Sequence, residues 1–268
     1  MPHPSHTPFV PFFHFRSRWL AASAALALSL SLSGCNVLEN PDMVTAGAGL
    51  VRAATLTQTE VAVLSAQSCE AMDAQSQVLP SNSAYGQRLQ RLVTQFPRDV
   101  NGQALQYRVY QNKEPNAWAM ANGCVRVYSG LMDLMNDDEL RGVVGHEIGH
   151  VALGHSTARM RTVYATSAAR QAIAASGSSV AAALSQSMAG DLAETFINAQ
   201  FSQVQETAAD NYAYDLLTQL QLNRQGLVTG FQKLSALSGG GSGLPFLSSH
   251  PPSGKRAQNI QNRLNQER

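Results

Sequence analysis

At 268 residues, 44% hydrophobic and 14% charged, the chain is long enough to bury a substantial core and falls within the range of one or two domains. The formal charge is +1, and two of the 19 basic residues, Arg16 and Arg18, fall in an expected leader, leaving 17 basic residues against 18 acidic ones. That balance excludes an electrostatic case for nucleic-acid binding.

From the N-terminus, Arg16 and Arg18 precede a 14-residue stretch without charge, Trp19 to Leu32. It is short for a bilayer span and has the form of a signal-peptide core. Leu32-Ser33-Gly34-Cys35 closes it and resembles the bacterial lipobox, in which small residues admit the signal peptidase and the cysteine thiol takes a diacylglycerol anchor. The expected layout is a lipoprotein signal peptide over 1–34, a flexible tether over 35–54 and one folded domain over 55–268. Asn36 rather than aspartate follows the cysteine, which in lipoproteins implies sorting to the outer membrane, facing the periplasm. With Cys35 given to lipid, Cys69 and Cys124 are an even pair in an oxidising compartment. A disulfide between them closes a loop of about 55 residues and contributes on the order of 4 kcal/mol in chain-entropy terms. Two buried free thiols are the alternative.

Val61, Val63, Leu64, Cys69 and Met72 predict a loosely amphipathic helix between Leu56 and Val78, stopped by Pro80, and Tyr85 to Phe96 predicts another. The period then changes towards strands at Leu105–Tyr110, Ala117–Met120 and Cys124–Tyr128, which make a small antiparallel sheet. Asn122-Gly123 is expected as a two-residue hairpin turn, both positions tolerating positive φ. Asn136 and Glu139 form a capping box ahead of Leu140, Val143, Val144, Ile148 and Val151, which keep helical spacing. Thr162 to Gln200, rich in Ala and Ser, reads as a close-packed helical hairpin broken at Gly177 and Gly190, with no run long enough to span a membrane. A helix over Gln203–Leu220, a mobile glycine loop over Ser238–Gly243 and a short helix over Arg256–Leu264 follow. The expected class is α+β, mainly α.

His146-Glu147-Ile148-Gly149-His150 places two imidazoles at i and i+4, which on a helix stack on one face and can bind one zinc ion. Glu147, on the adjoining flank, can take a proton from water activated by that metal. A catalytic zinc needs a third protein ligand on a facing element. Glu206 and Asp210 lie on the helix carrying Val204, Ala208, Tyr212, Leu216 and Leu217, which is expected to pack inward, where carboxylates need partners. Glu206 as ligand with Asp210 accepting from a ligand histidine is one arrangement; a salt bridge to Arg or Lys is the other. His155, five residues beyond His150, turns away from the metal face and is assigned a structural role.

HEIGHVALGHS at His146–Ser156, FSQVQETAAD at Phe201–Asp210 and Ser249-His250-Pro251-Pro252 resemble, in that order, the gluzincin zinc metallopeptidase family of CAAX prenyl proteases and HtpX. The likeness runs from about Asn116 to Arg256 and is closest to the bacterial outer-membrane lipoprotein branch, the LoiP type, since neither the transmembrane helices of the prenyl proteases and HtpX nor the helical-repeat extension of a further branch is read in the sequence. It implies a zincin-like metalloprotease domain with a small sheet beside the HExxH helix. It implies one Zn2+ per chain held by His146, His150 and Glu206, with Asp210 in support and Glu147 catalytic. His250 is implied near the zinc, either stabilising the oxyanion or occupying the fourth metal position in a latent state; a solvated loop histidine is the plain alternative. Arg256 matches a family arginine. Asn116, Ala117, Trp118 and Ala119 match an edge strand to which an extended substrate adds, although Trp118 read alone is a core residue. The implied activity is cleavage of unfolded or damaged envelope proteins by an enzyme reaching the membrane through its lipid. A zinc-containing assembly or binding factor with little or latent proteolysis is the competing reading.

Overall fold

The structure, a computed structural model, describes residues 51, 53–171, 186–237, 245–251 and 254–267. The chain divides into two compact units, 1–45 and 46–268, and the described residues belong to the second. The expected signal peptide, Cys35, most of the tether, Gly177 and the 238–243 loop lie outside the described residues.

Helix α1 (Gln58–Gln75) starts at a capping box in which Thr57 and Glu60 each bond the other's backbone N–H. After it come β1 (Val78–Leu79), α2 (Ala84–Val93), β2 (Asp99–Val100), β3 (Gln103–Ala104), β4 (Gln106–Tyr110), β5 (Ala117–Ala119) and β6 (Cys124–Tyr128). The main sheet has the order β1-β4-β6-β5. It is mixed rather than antiparallel: β5 is antiparallel to β6, but β4 and β6 run parallel. The reason is that β6, buried at all five positions, takes the centre and inserts between β4 and β5 instead of adding outside them.

The β5–β6 turn also differs from expectation. Only Gly123 has a positive φ, 80°, while Gly123 N–H donates to the Met120 carbonyl and Met120 N–H to the Cys124 carbonyl, both at 3.0 Å. This is a three-residue loop with glycine in the left-handed position. The two-residue turn lies earlier, at Asn101 (φ 55°) and Gly102 (φ 75°), closing the short β2–β3 pair.

The rest is helical: α3 (Ser129–Leu134), α4 (Asp137–Ala152), α5 (His155–Gln171), α6 (Gln186–Asn198), α7 (Gln203–Gln219), α8 (Gln225–Leu237), α9 (Pro245–Ser249) and α10 (Gly254–Gln266). Gly190 sits inside α6 and does not break it; there the helix backbone meets the Gln75 side chain at the end of α1. No described helix is long and apolar enough to cross a membrane.

The alternation of the strands divides the core in two. Val109, Ala117, Ala119, Val125 and Val127 face α4, α7, α8 and α10. Tyr110, Trp118, Met120, Cys124 and Tyr128 face α1, α5 and α6. On that second side Cys69 of α1 and Cys124 of β6 are joined by a disulfide. Beside it Arg126, 1% exposed, grips Asp73 of α1 with Nε and Nη2, both at 2.8 Å. Helix α1 is thus fastened to the sheet by a covalent bond and a buried ion pair.

Candidate metal centre and active site

Helix α4 opens at a capping box of Asn136 and Glu139, with Asp137, Asp138 and Glu139 at its positive end. At its other end Asn101 Nδ2 donates to the Ala152 carbonyl at 2.9 Å, satisfying a last-turn acceptor. The helix is buried on every residue from Gly142 to Val151 because α7, α8 and β5 surround it. Small residues allow the close approach: a Cβ at Gly149 would stand 3.0 Å from the Ala209 carbonyl oxygen of α7. This contact brings the Glu206 end of α7 to His150. The inward stripe of α7 is Glu206, Ala209, Asp210, Ala213, Leu216 and Leu217, whereas Val204, expected to face inward, is 80% exposed.

His146, His150, Glu206 and His250 each offer a ligand atom within 4.8 Å of one another, and all four are at most 1% exposed. His146 Nε2 lies 3.0 Å from His150 Nε2 and 3.6 Å from Glu206 Oε2. His150 Nε2 is 3.2 Å from Glu206 Oε1. His250, at the end of α9, brings Nδ1 to 3.1 Å from Glu206 Oε1 and 3.3 Å from His146 Nε2. Its Nε2 is 3.4 Å from Glu147 Oε1, an atom that makes no hydrogen bond.

The far sides of the imidazoles explain what the near sides need. His146 Nδ1 meets Asp210 Oδ1 at 2.8 Å, so its proton sits there and Nε2 presents a lone pair. His150 Nδ1 meets His155 Nδ1 at 3.1 Å, and in the tautomer in which His150 Nδ1 donates to His155, His150 Nε2 has a lone pair also. Two lone pairs 3.0 Å apart beside a carboxylate repel one another, and a cation between them removes the conflict. The residues therefore fit a divalent metal bound by two imidazoles and a carboxylate, with His250 beside it.

Arg256 braces the cluster from below: Nε and Nη2 donate to Asp210 at 2.7 and 2.6 Å, and Nη1 pairs with Glu206. Burial first, and the Glu206 charge second, push the Glu147 carboxyl well above the usual carboxylate range. Burial alone would raise Glu206 too, but the histidines around it and their hydrogen bonds outweigh that and keep it ionised. Burial drives His250 down to about 4, so its imidazole is neutral.

The structure brings His146, Glu147, His150, Glu206, Asp210 and His250 together, and Arg256 with them. β5 is the edge of the sheet, yet Asn116, Ala117, Trp118 and Ala119 are at most 3% exposed. The alternation turns the backbone groups of Ala117 and Ala119 away from β6. Two of these are engaged: Ala117 N–H with Asn116 Oδ1 at 2.9 Å and the Ala119 carbonyl with Ser156 Oγ at 2.9 Å. An added strand competes with these bonds.

Sequence reasoning passed over two groups here. Phe201 stacks on His150 with centroids 3.6 Å apart, and Phe246 stacks on His250 at 4.5 Å. Arg159 lies against Phe201. The one available signal was position, since Phe201 and Phe246 flank the two motifs that carry Glu206 and His250. His155 is no member of the metal cluster, but it backs His150, because the chain turns at Gly154 (φ 73°) and helical spacing stops applying.

A helix bearing two histidines one turn apart, a glutamate from a second helix and a further carboxylate between them, in a zincin-like fold, define a metallopeptidase. Residues 83–264 match Peptidase family M48, and the chain belongs to that family. It is 46% identical over 248 residues to Metalloprotease YcaL of Escherichia coli K12, covering 91% of this chain and 95% of that protein. It is 43% identical over 244 residues to Metalloprotease LoiP of the same organism, covering 91% and 96%. A stretch of 50 residues is 46% identical to Protease HtpX of Thioalkalivibrio sulfidiphilus, covering 17% of each chain.

Proposed function

We propose that this metalloprotease is a zinc endopeptidase that cleaves unfolded or damaged proteins of the bacterial envelope, held by lipid on Cys35 at the outer membrane and facing the periplasm. The observation that carries the chemistry is the convergence of His146, His150 and Glu206 with Glu147 at their side. The Cys69–Cys124 disulfide suits an oxidising compartment, which favours the envelope.

Zinc held by His146, His150 and Glu206 would supply Lewis acidity for a peptide carbonyl and an attacking water. Glu147 accepts the proton of the attacking water at Oε1 and returns it to the departing amine. Asp210 holds the His146 tautomer, and Arg256 holds Asp210. An extended chain that displaces the Asn116 and Ser156 contacts pairs with the outer backbone groups of β5, a mode that selects unfolded over folded substrates.

A restrained form of the same enzyme has its own support. His250 occupies the space beside the donor set, and every donor is at most 1% exposed, so substrate reaches the site only after the His250 segment moves. The full chain purified in detergent should degrade unfolded casein, and His250→Ala should raise the rate if His250 restrains the site or abolish it if His250 stabilises the oxyanion. Wild-type and His250→Ala proteins that both bind zinc but leave casein intact would favour the assembly or binding factor. Mass spectrometry of the mature N-terminus tests the anchor, which a chain without diacylglycerol on Cys35 would refute. Chains captured on Glu147→Gln in the native envelope would identify the substrates.

A further inference from the structure

Among the described residues three arginines are buried, and one of them makes no ion pair. Arg126 and Arg256 each grip an aspartate. Arg159, on α5 and 8% exposed, makes no ion pair among the described residues, and its Nε has no hydrogen-bond partner. Its two contacts are backbone carbonyls: Nη1 donates to Phe196 in the last turn of α6 at 3.2 Å, and Nη2 to Ser249 at the end of α9 at 3.4 Å. The guanidinium lies 3.1 Å from the ring centre of Phe201 and 5.2 Å from that of Phe196. Burial pulls its pKa down to about 9, so it stays charged at neutral pH. The Glu147 and Glu206 charges favour the cation at longer range, so what holds the guanidinium in place is its pair of helix C-terminal carbonyls and the Phe201 ring.

What it holds is the segment that closes the site. Ser249 immediately precedes His250, and its carbonyl also accepts from Phe201 N–H at 3.1 Å. Behind α9 lies a cavity of about 390 Å3 lined by Phe231, Leu234, Phe246, Leu247, Arg256 and Ala257, which leaves the helix room to shift. We propose that Arg159 is the latch of the active site: its guanidinium ties the C-terminal carbonyl of α9, and with it His250, to the C-terminal turn of α6, and breaking this tie opens the cleft. Arg159 is a positioning residue that acts through His250. The latch rests on the reading that the His250 segment must leave before substrate binds.

The test is peptide-level hydrogen exchange of the full chain in detergent, without substrate, comparing wild type with Arg159→Lys and Arg159→Gln. Loss of one charge-assisted hydrogen bond should raise the open fraction about tenfold, read as faster exchange over 245–251 with residues 117–128 unchanged. Casein cleavage should show a lower KM at unchanged kcat, because the competent state is more populated. Folded variants with unchanged exchange over 245–251, or with faster exchange everywhere, would overturn the latch. Should neither variant fold, wild type decides: one guanidinium joining both carbonyls makes 196–201 and 245–251 open in a single step, and independent opening refutes it. Wild-type and His250→Ala proteins that both leave casein intact would count against the protease reading and leave the exchange result standing.

Discussion

Asp73 and Asp210 each hold a buried arginine in a two-pronged grip, and only one of them stands at a site of chemistry. Behind the sheet the accounting closes. Arg126 donates to Asp73, to the Gln106 and Val125 carbonyls and to Cys69 Sγ, while Asp73 also accepts from Tyr110 and Arg108. At the other site Asp210 takes Arg256 on one side and His146 on the other, and beyond His146 two imidazole lone pairs and a carboxylate face one another. A buried polar network whose members satisfy one another is structural; one that ends in converging acceptors is built for a ligand it does not itself contain.

The largest effect expected from this comparison is at Glu147. Glu147→Gln should lower casein hydrolysis by about 10²–10⁴-fold, the usual worth of a general base, while elemental analysis still finds one zinc per chain. A fully active variant would refute the assignment.

The two aspartates can be set against each other directly. Asp73→Asn leaves Arg126 without its anion and should destabilise the fold by about 3–5 kcal/mol in denaturant titrations, whereas Asp210→Asn leaves Arg256 its pair with Glu206 and should cost less. Only Asp210→Asn should also weaken metal binding, by about 10–100-fold in competition with a chelator, because it removes the support of His146. Equal metal affinity in the two variants would erase the distinction drawn between the networks.

A smaller effect belongs to His155. His155→Phe keeps the ring beside Phe201 but removes the partner of His150, and should weaken metal binding about tenfold, at the low end for such support.

The smallest is an acid limb. Burial raises the Asp73 pKa, but hydrogen bonds from Arg126 and Tyr110 and the Arg126 and Arg108 charges outweigh it and hold the folded value below the ordinary one. The unfolded chain therefore takes the proton first, so this stabilisation is complete above about pH 4 and is lost as pH falls through the folded pKa. Denaturant midpoints measured from pH 6 to pH 3 should fall less steeply in Asp73→Asn than in wild type.

Much of the site was legible in the sequence because its parts are local. His146 and His150 sit one helical turn apart, and Asn136 with Glu139 announces where that helix begins. Glu206 and Asp210 repeat the same one-turn logic on α7, although Val204, taken as an inward residue, points to solvent. Asp73 and Arg126 were not legible, since 53 residues separate them and nothing in either neighbourhood marks the other. The parallel β4–β6 pairing was missed for a similar reason: alternation shows that a strand exists, while its neighbour is chosen by which strand buries most.

What the sequence determined by itself is the chemistry of the triplet His146, Glu147 and His150, because helical periodicity alone sets their spacing, while Glu206 as a third ligand was implied only by the resemblance of its motif. The tertiary structure decided the state of that chemistry. It placed His250 among the donors, tied the edge strand to Ser156, and set an arginine with no ion pair among the described residues on the carbonyl that precedes His250. These contacts join residues up to 104 positions apart, at distances that no local pattern encodes and only packing can bring about.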